Sequence, residues 1–223
     1  MNYVVTGANR GLGLEMVRQL LAAGHGVIAT ARDPGSASEL ADLGVRVEAL
    51  DTADAVSVAG FAARLGDEPI DVLVNNAGIM GHNGGGLAET DIEQLLTTFD
   101  VNSLGPLRVT QALLPNLRTG AGRTVVQMSS NLGSIADAGA GLFGYRASKS
   151  ALNMLNKALS VELAGEGFTC VALHPGWVQT DMGGADATLT PAESVAGMVA
   201  VIARLDPSSN GAFLDYRGES LPW

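Results

Sequence analysis

Thr6-Gly7-Ala8-Asn9-Arg10-Gly11-Leu12-Gly13 stands between an apolar run, Tyr3-Val4-Val5, and a stretch with apolar residues at Leu12, Met16, Leu20 and Leu21. A short run of Tyr and Val is strand-like, and the spacing that follows is that of one helix face. A glycine-rich turn at such a junction lets the backbone bend sharply and lets a pyrophosphate come close. The helix N-terminus adds free N–H groups and the positive end of its dipole. The Gly-x-x-x-Gly-x-Gly spacing differs from the common Gly-x-Gly-x-x-Gly fingerprint, but the strand before it and the helix after it predict the same use.

Outward from this turn, strand and helix patterns alternate along the whole chain. Strand patterns fall at residues 27–31, 45–50, 70–74, 123–128, 168–173 and 212–214. Helical patterns fall at 12–21, 37–43, 56–65, 89–118, from Tyr145 to about Ala164, and from Pro191 to about Leu205. The 89–118 pattern fits either two helices or one long helix bent near Pro106. Such alternation predicts a parallel sheet with helices on both faces.

Composition narrows the functional classes. With 223 residues, 47% hydrophobic and 16% charged, the chain can bury one sizeable α/β core. Its 29 glycines are scattered at turn positions without a period. Acidic residues outnumber basic ones 23 to 13, for a formal charge of −10, and no Lys/Arg run exists. That balance argues against generic nucleic-acid binding but leaves room for a local basic pocket. The single cysteine, Cys170, lies in an apolar run and is expected as a buried strand residue without a disulfide partner. No signal-like apolar segment follows Met1, and the apolar runs are far short of a membrane span, so a cytoplasmic protein is expected. His25, His82 and His174 are too widely spaced to suggest a metal site; His82 is expected at a substrate mouth and His174 in a structural role.

Three further turn motifs sit after strand patterns: Asn75-Asn76-Ala77-Gly78, Ser129-Ser130, and Pro175-Gly176-Trp177-Val178-Gln179-Thr180. Each is commonplace alone, yet all four turns fall at carboxyl ends of strands, where open α/β sheets bind ligands. Among them comes Tyr145-Arg146-Ala147-Ser148-Lys149. A Tyr and a Lys four apart share one helix face. A phenol has a pKa of ~10, and a nearby ammonium favours its ionised form, so the pair suits proton transfer at a hydroxyl or carbonyl oxygen.

In this order and spacing the motifs resemble the short-chain dehydrogenase/reductase family over essentially the whole chain. The stretch from His174 to Gly184 and the C-terminal Leu221-Pro222-Trp223 resemble its C-factor-like and sniffer-like carbonyl reductase branch. The resemblance implies one Rossmann-fold domain over 1–223, a doubly wound parallel sheet of seven strands in the order 3-2-1-4-5-6-7. It implies an oxidoreductase acting between a nicotinamide cofactor and a small carbonyl or secondary alcohol. Tyr145 is then the general acid or base. Lys149 lowers its pKa and binds the nicotinamide ribose, Ser130 hydrogen-bonds the substrate oxygen, and Asn102 holds a water through a helix irregularity. Gly7, Arg10, Gly11 and Gly13, with Asn9 and Leu12 between them, surround the phosphates and adenosine ribose. Asp51, beside Thr52, faces the adenine. Asn76, Ala77 and Gly78 line the cofactor, while Pro175, Gly176, Trp177, Val178 and Thr180 form the nicotinamide end. Ser130 lies 15 positions before Tyr145, wider than the family's usual spacing, which keeps Ser129 and Ser134 as alternatives. Trp177 fits core packing as well as a nicotinamide cover. The branch also admits a signalling or regulatory protein that keeps the pocket and catalyses little. A homodimer or homotetramer through the leucine-rich helices is a further implication, although core packing also accounts for many of those leucines.

The choice of cofactor turns on one strand end. An acidic residue ~20 positions past the fingerprint would bind the ribose 2′-hydroxyl of NAD(H), and Asp33 fits that count. If the second strand ends at Ala31, Arg32 instead faces the ribose and Asp33 turns into the loop before Pro34. Arg32 and Arg10 could then fork onto a 2′-phosphate. The expectation is NADP(H), with NAD(H) as the alternative.

Overall fold

The computed structural model describes residues 1–81 and 86–223. Its sheet is formed by β1 (Asn2–Val5), β2 (Gly26–Ala31), β3 (Arg46–Ala49), β4 (Val72–Asn75), β5 (Thr124–Met128), β6 (Thr169–His174) and β7 (Phe213–Asp215). The order is β3-β2-β1-β4-β5-β6-β7, and every adjacent pair is parallel. The helices are α1 (Gly11–Ala22), α2 (Ser38–Asp42), α3 (Ala55–Leu65), α4 (Ile92–Phe99), α5 (Gly105–Thr119), α6 (Phe143–Glu162) and α7 (Pro191–Ile202).

Because successive strand residues point to opposite faces, the apolar strands feed two cores. Val5, Ala29, Val74, Val126 and Val171 pack with Leu14, Val17 and Leu20 of α1 and Met198 of α7. Val4, Ile28, Leu73, Val125 and Cys170 point the other way, onto Phe61 of α3 and Leu113 and Leu117 of α5. Cys170 is a buried free thiol, as expected. Caps fix where several helices begin. Asp54 accepts from the amides of Val56 and Ser57 at α3, and Asp91 from those of Glu93 and Gln94 at α4. At α7, Thr190 and Glu193 form a reciprocal capping box with Pro191 in the first turn.

One local expectation needs correction. The fourth strand starts at Val72 and includes Asn75, whereas residues 70–74 were expected. The Ile70 amide bonds to the Asn116 carbonyl at the end of α5 instead of entering the sheet, so the first Asn of the Asn-Asn-Ala-Gly motif is a strand residue. The 89–118 stretch is two helices, one of the two alternatives expected, and it breaks in a π-helical turn, Asp100–Leu104, directly before the helix that holds Pro106. A π-turn inserts an extra residue per turn, so α4 and α5 can each aim their apolar faces inward.

The sheet order reverses between β1 and β4. The carboxyl ends of these strands, and the turns after them, therefore border one crevice.

Candidate active site

A cavity of about 1000 Å³ opens along that crevice, and elements distant in sequence supply its wall. The turn after β1 contributes Gly7, Asn9, Arg10, Gly11, Leu12 and Gly13. The end of β2 contributes Arg32, Asp33 and Ser36; the segment after β3 contributes Leu50, Asp51 and Thr52. Asn76, Ala77, Gly78 and Ile79 follow from β4, then Met128 and Ser129 from β5. Tyr145 and Lys149 of α6 lie at the wall with Pro175, Thr180, Asp181 and Met182.

The glycine turn is shaped to take a ligand. Gly7 and Gly11 have φ of +61° and +55°, in the left-handed region that favours glycine. Arg10 is the N-cap of α1 and makes no side-chain cap, so the N–H groups of the first turn stay open toward the cavity. The Asn76 amide braces the turn by donating to the carbonyls of Thr6, 2.9 Å, and Gly7, 3.0 Å. Thr6 Oγ1 accepts from the Ala77 amide at 3.0 Å.

At the far end of β2, Asp33 is the N-cap of a short 3₁₀ turn, and its Oδ1 accepts from the Gly35 amide at 3.0 Å. β2 ends at Ala31, leaving Arg32 at the cavity wall, as expected from the strand boundary. No carboxylate pairs with Arg32 among the described residues. Asp51 lines the cavity while its Oδ1 accepts from the Ala53 amide at 3.0 Å.

Asn102, Ser148, Tyr145 and Lys149 come together near the π-turn. Asn102 is fully buried; its Oδ1 accepts from the Ile79 amide at 2.8 Å and its Nδ2 donates to the Ile79 carbonyl at 2.8 Å. The same Nδ2 donates to Ser148 Oγ at 3.1 Å, and that hydroxyl donates to the Tyr145 carbonyl at 2.8 Å. Ser103 Oγ donates to the Ser148 carbonyl at 2.7 Å, fastening the π-turn to α6 a second time. Lys149 is buried, with its Nζ 5.7 Å from the centre of the Tyr145 ring and donating to the Met128 carbonyl at 2.7 Å.

The electrostatics run against one expectation. Burial pushes the Tyr145 phenol above its usual pKa, with the Ser130 hydroxyl beside it working the other way. Burial also pulls Lys149 down to about 8. Lys149 was expected to lower the phenol's pKa, but desolvation disfavours both the phenolate and the ammonium and dominates here.

The three candidate serines are in different positions. Ser129 lines the cavity, and its Oγ donates to Asn153 Oδ1 at 2.6 Å. Ser134 Oγ donates to the Trp223 carbonyl at 3.3 Å and accepts from the Asp137 amide at 3.1 Å. Ser130, whose Oγ accepts from the Leu132 amide at 3.1 Å, is the one facing Tyr145.

Asn102, Ser130, Gly176, Trp177 and Val178 are not part of the cavity wall itself. Asn102 lies behind Ile79. Val178 is buried and pairs through its backbone with Leu189. Trp177 is 53% exposed and its indole N–H donates to the Gly183 carbonyl at 2.8 Å, so it neither fills the core nor covers the cavity floor. Gly176, at φ +83°, shapes the turn, and Ser194 Oγ holds that turn by donating to the Pro175 carbonyl at 2.6 Å. His82, expected at the substrate mouth, lies outside the described residues, as do 83–85.

Sequence reasoning passed over Ser148, although it sits one residue before Lys149, and over the pairing of Arg10 with Asp181 at 2.7 Å. It treated His174 as structural. Burial draws that imidazole down to about 4 against the opposing pull of Asp215, and its Nδ1 has no hydrogen-bond partner among the described residues. Among the described residues no cluster of His, Cys, Asp and Glu is arranged to hold a metal ion, and no helix is long and apolar enough to cross a membrane.

Comparison with known proteins places the chain in a family and matches its fold. The family model described as short chain dehydrogenase matches residues 2–188. C-signal of Myxococcus xanthus is 50% identical over 164 residues, covering 73% of this chain and 98% of that protein. The NADPH-bound carbonyl reductase from chicken fatty liver superposes with a TM-score of 0.93 at 36% identity, covering 100% of this chain and 98% of that one. The carbonyl reductase Sniffer of D. melanogaster superposes with a TM-score of 0.94 at 35% identity, covering 100% and 99%.

Proposed function

The chain belongs to the short-chain dehydrogenase family of NAD(P)-dependent oxidoreductases, and from that premise we propose that it is an NADPH-dependent reductase of a small carbonyl compound, with Tyr145 as the general acid. The observation that carries this reading is that Tyr145 and Lys149, with the Ser130 hydroxyl acting on the phenol from behind the wall, line the same cavity as an open helix N-terminus.

The residues fit a dinucleotide. Uncapped N–H groups of α1 suit the pyrophosphate. At Gly78 an added Cβ would come within 3.2 Å of Asn102 Oδ1 and 3.6 Å of Lys149 Nζ, so a glycine there keeps that stretch of wall low beside both side chains. Asp33 spends its carboxylate on Gly35 and leaves Arg32 to face the adenosine ribose, which favours NADP(H) over NAD(H). The NADPH named for the chicken carbonyl reductase supports the same choice.

When bound, the reduced nicotinamide supplies the hydride. Ser130 donates a hydrogen bond to the carbonyl oxygen and holds it beside the phenol. Tyr145, kept protonated by its raised pKa, delivers its proton to that oxygen as negative charge develops there. Lys149 places a positive charge beside the phenolate left behind. Asn102 fixes Ile79 and Ser148 relative to each other and so holds the wall and the catalytic helix in register.

A second reading is a signalling or regulatory role with little turnover, favoured by the 50% identity to C-signal. One experiment separates the two: NADPH oxidation across a panel of aldehydes, ketones and quinones, by wild type and by Tyr145→Phe. Wild-type turnover on at least one carbonyl class is expected, with a loss of about 100-fold or more in the variant and unchanged NADPH binding. Retained turnover in Tyr145→Phe overturns the catalytic assignment, and no turnover on any class favours the second reading.

A further inference from the structure

The two guanidiniums assigned above to the 2′-phosphate are not in equivalent states. Arg32 has no carboxylate partner among the described residues. Arg10 Nη1 donates to Asp181 Oδ2 at 2.7 Å, across 171 positions of sequence. Both members of this pair line the cavity, Arg10 from the glycine turn and Asp181 from the segment after β6. The ion pair therefore spans the crevice, joining the wall that takes phosphates to a segment that also carries Met182. That segment is closed on itself. Thr180 Oγ1 accepts from the Gly183 amide at 3.2 Å, the Thr180 carbonyl accepts from the Gly184 amide at 2.9 Å, and Trp177 bonds to the Gly183 carbonyl.

We infer that Asp181 sets cofactor preference through Arg10: it competes with the 2′-phosphate for that guanidinium, so a 2′-phosphorylated dinucleotide frees the segment after β6 whereas an unphosphorylated one leaves it fastened. This rests on the NADP(H) reading above. A phosphate monoester carries about −1.5 to −2 charges and three acceptor oxygens, against one charge on a carboxylate, so it wins the planar fork of Arg10. The opposing hold is modest because both side chains are exposed, at 66% and 80%. An exposed pair contributes about 0.2–1 kcal/mol, which corresponds to a factor of about 1.5 to 5 in affinity. Asp181 is thus a positioning residue that acts through Arg10, and its effect is selective. Simple repulsion between Asp181 and the pyrophosphate would weaken both cofactors alike and would not need Arg10.

The test is the dissociation constants of NADPH and NADH, by fluorescence titration at low and high salt, for wild type, Asp181→Asn, Arg10→Ala and the double variant. Asp181→Asn is expected to tighten NADPH about 1.5- to 5-fold at low salt and to leave NADH unchanged. The gain should shrink at high salt and vanish in the Arg10→Ala background. Amide hydrogen exchange over residues 177–184 should be faster with NADPH than with NADH in wild type, and equal in Asp181→Asn. Equal tightening of both cofactors, no change, or weaker NADPH binding would overturn the inference. If wild type does not bind NADPH more tightly than NADH, the 2′-phosphate assignment falls and this inference with it. If it does and Asp181→Asn is silent, only the competition falls.

Discussion

Gly13→Ala reverses the sign that helix propensity assigns to it. Gly13 is the third residue of α1, where alanine would ordinarily add about 1 kcal/mol of stability. In the fold, a Cβ at Gly13 would stand 2.5 Å from the Gly7 carbonyl oxygen, 2.6 Å from Asn76 Nδ2 and 2.9 Å from Ala8 Cα. Two of these contacts are backbone, and the third is the amide that braces the turn through two hydrogen bonds. Overpacking costs about 1–3 kcal/mol, and each disturbed hydrogen bond about 0.5–1.5 kcal/mol. After subtracting the propensity gain, the net loss is about 3 kcal/mol. For a chain of this size that lowers the thermal midpoint by about 6–12 °C. Thermal unfolding followed by circular dichroism measures it, with Gly165→Ala as the control. Gly165 lies in a short 3₁₀ turn where an added Cβ meets nothing within 4 Å, so its replacement should leave the midpoint unchanged or slightly raised. A Gly13→Ala protein melting at or above the wild-type temperature would refute the claim that α1 and β4 are locked together at this point.

Two other outcomes follow from the buried polar groups. The unfolded chain protonates His174 near pH 6.5 and the folded chain only near 4, so the unfolded state binds more protons between those values. Stability from this group is therefore complete above pH 6.5 and is lost as pH falls toward 4, by about 3 kcal/mol in all. Chemical denaturation across that window should show a shallower pH dependence in His174→Gln than in wild type, the difference isolating the imidazole from the carboxylates; parallel curves would count against it. Ser148→Ala removes the hydroxyl between Asn102 and the Tyr145 carbonyl, worth about 0.5–1.5 kcal/mol as a hydrogen bond. It should lower kcat by about 2- to 10-fold and leave the KM for NADPH unchanged, and steady-state kinetics showing an unaltered kcat would mean that Ser148 does not help position the catalytic helix.

What could be read in advance was whatever the chain encodes locally. The strand and helix order, the glycine turn and the Tyr145–Lys149 face all rest on spacings within a few residues. The turning of Asp33 into the loop before Pro34 was legible too, from the end of the second strand at Ala31, and there its Oδ1 accepts from the Gly35 amide. The rest depends on partners brought together by folding. Nothing near Arg10 announces Asp181, and nothing near Lys149 shows that its ammonium ends on the Met128 carbonyl. The start of β4 was misplaced for the same reason: Ile70 is as apolar as its neighbours, and only the distant Asn116 carbonyl draws its amide out of the sheet. Burial reversed the expected effect on Tyr145, and the depth of a phenol cannot be counted from a four-residue interval.

The π-turn at Asp100–Leu104 has a consequence for how this chain can change. Within it, Asn102 and Ser103 are committed to Ile79 and Ser148; downstream, Val109, Leu113 and Leu117 of α5 are committed to the core. A π-turn absorbs one extra residue, so deleting one to restore a regular helix would leave the faces of α4 and α5 nearly in place but would remove a position from the turn itself. Asn102 and Ser103 could then not both keep their partners. The irregularity cannot be smoothed out by degrees, and length variants in this family should spare these five positions while tolerating change in the loops that flank them.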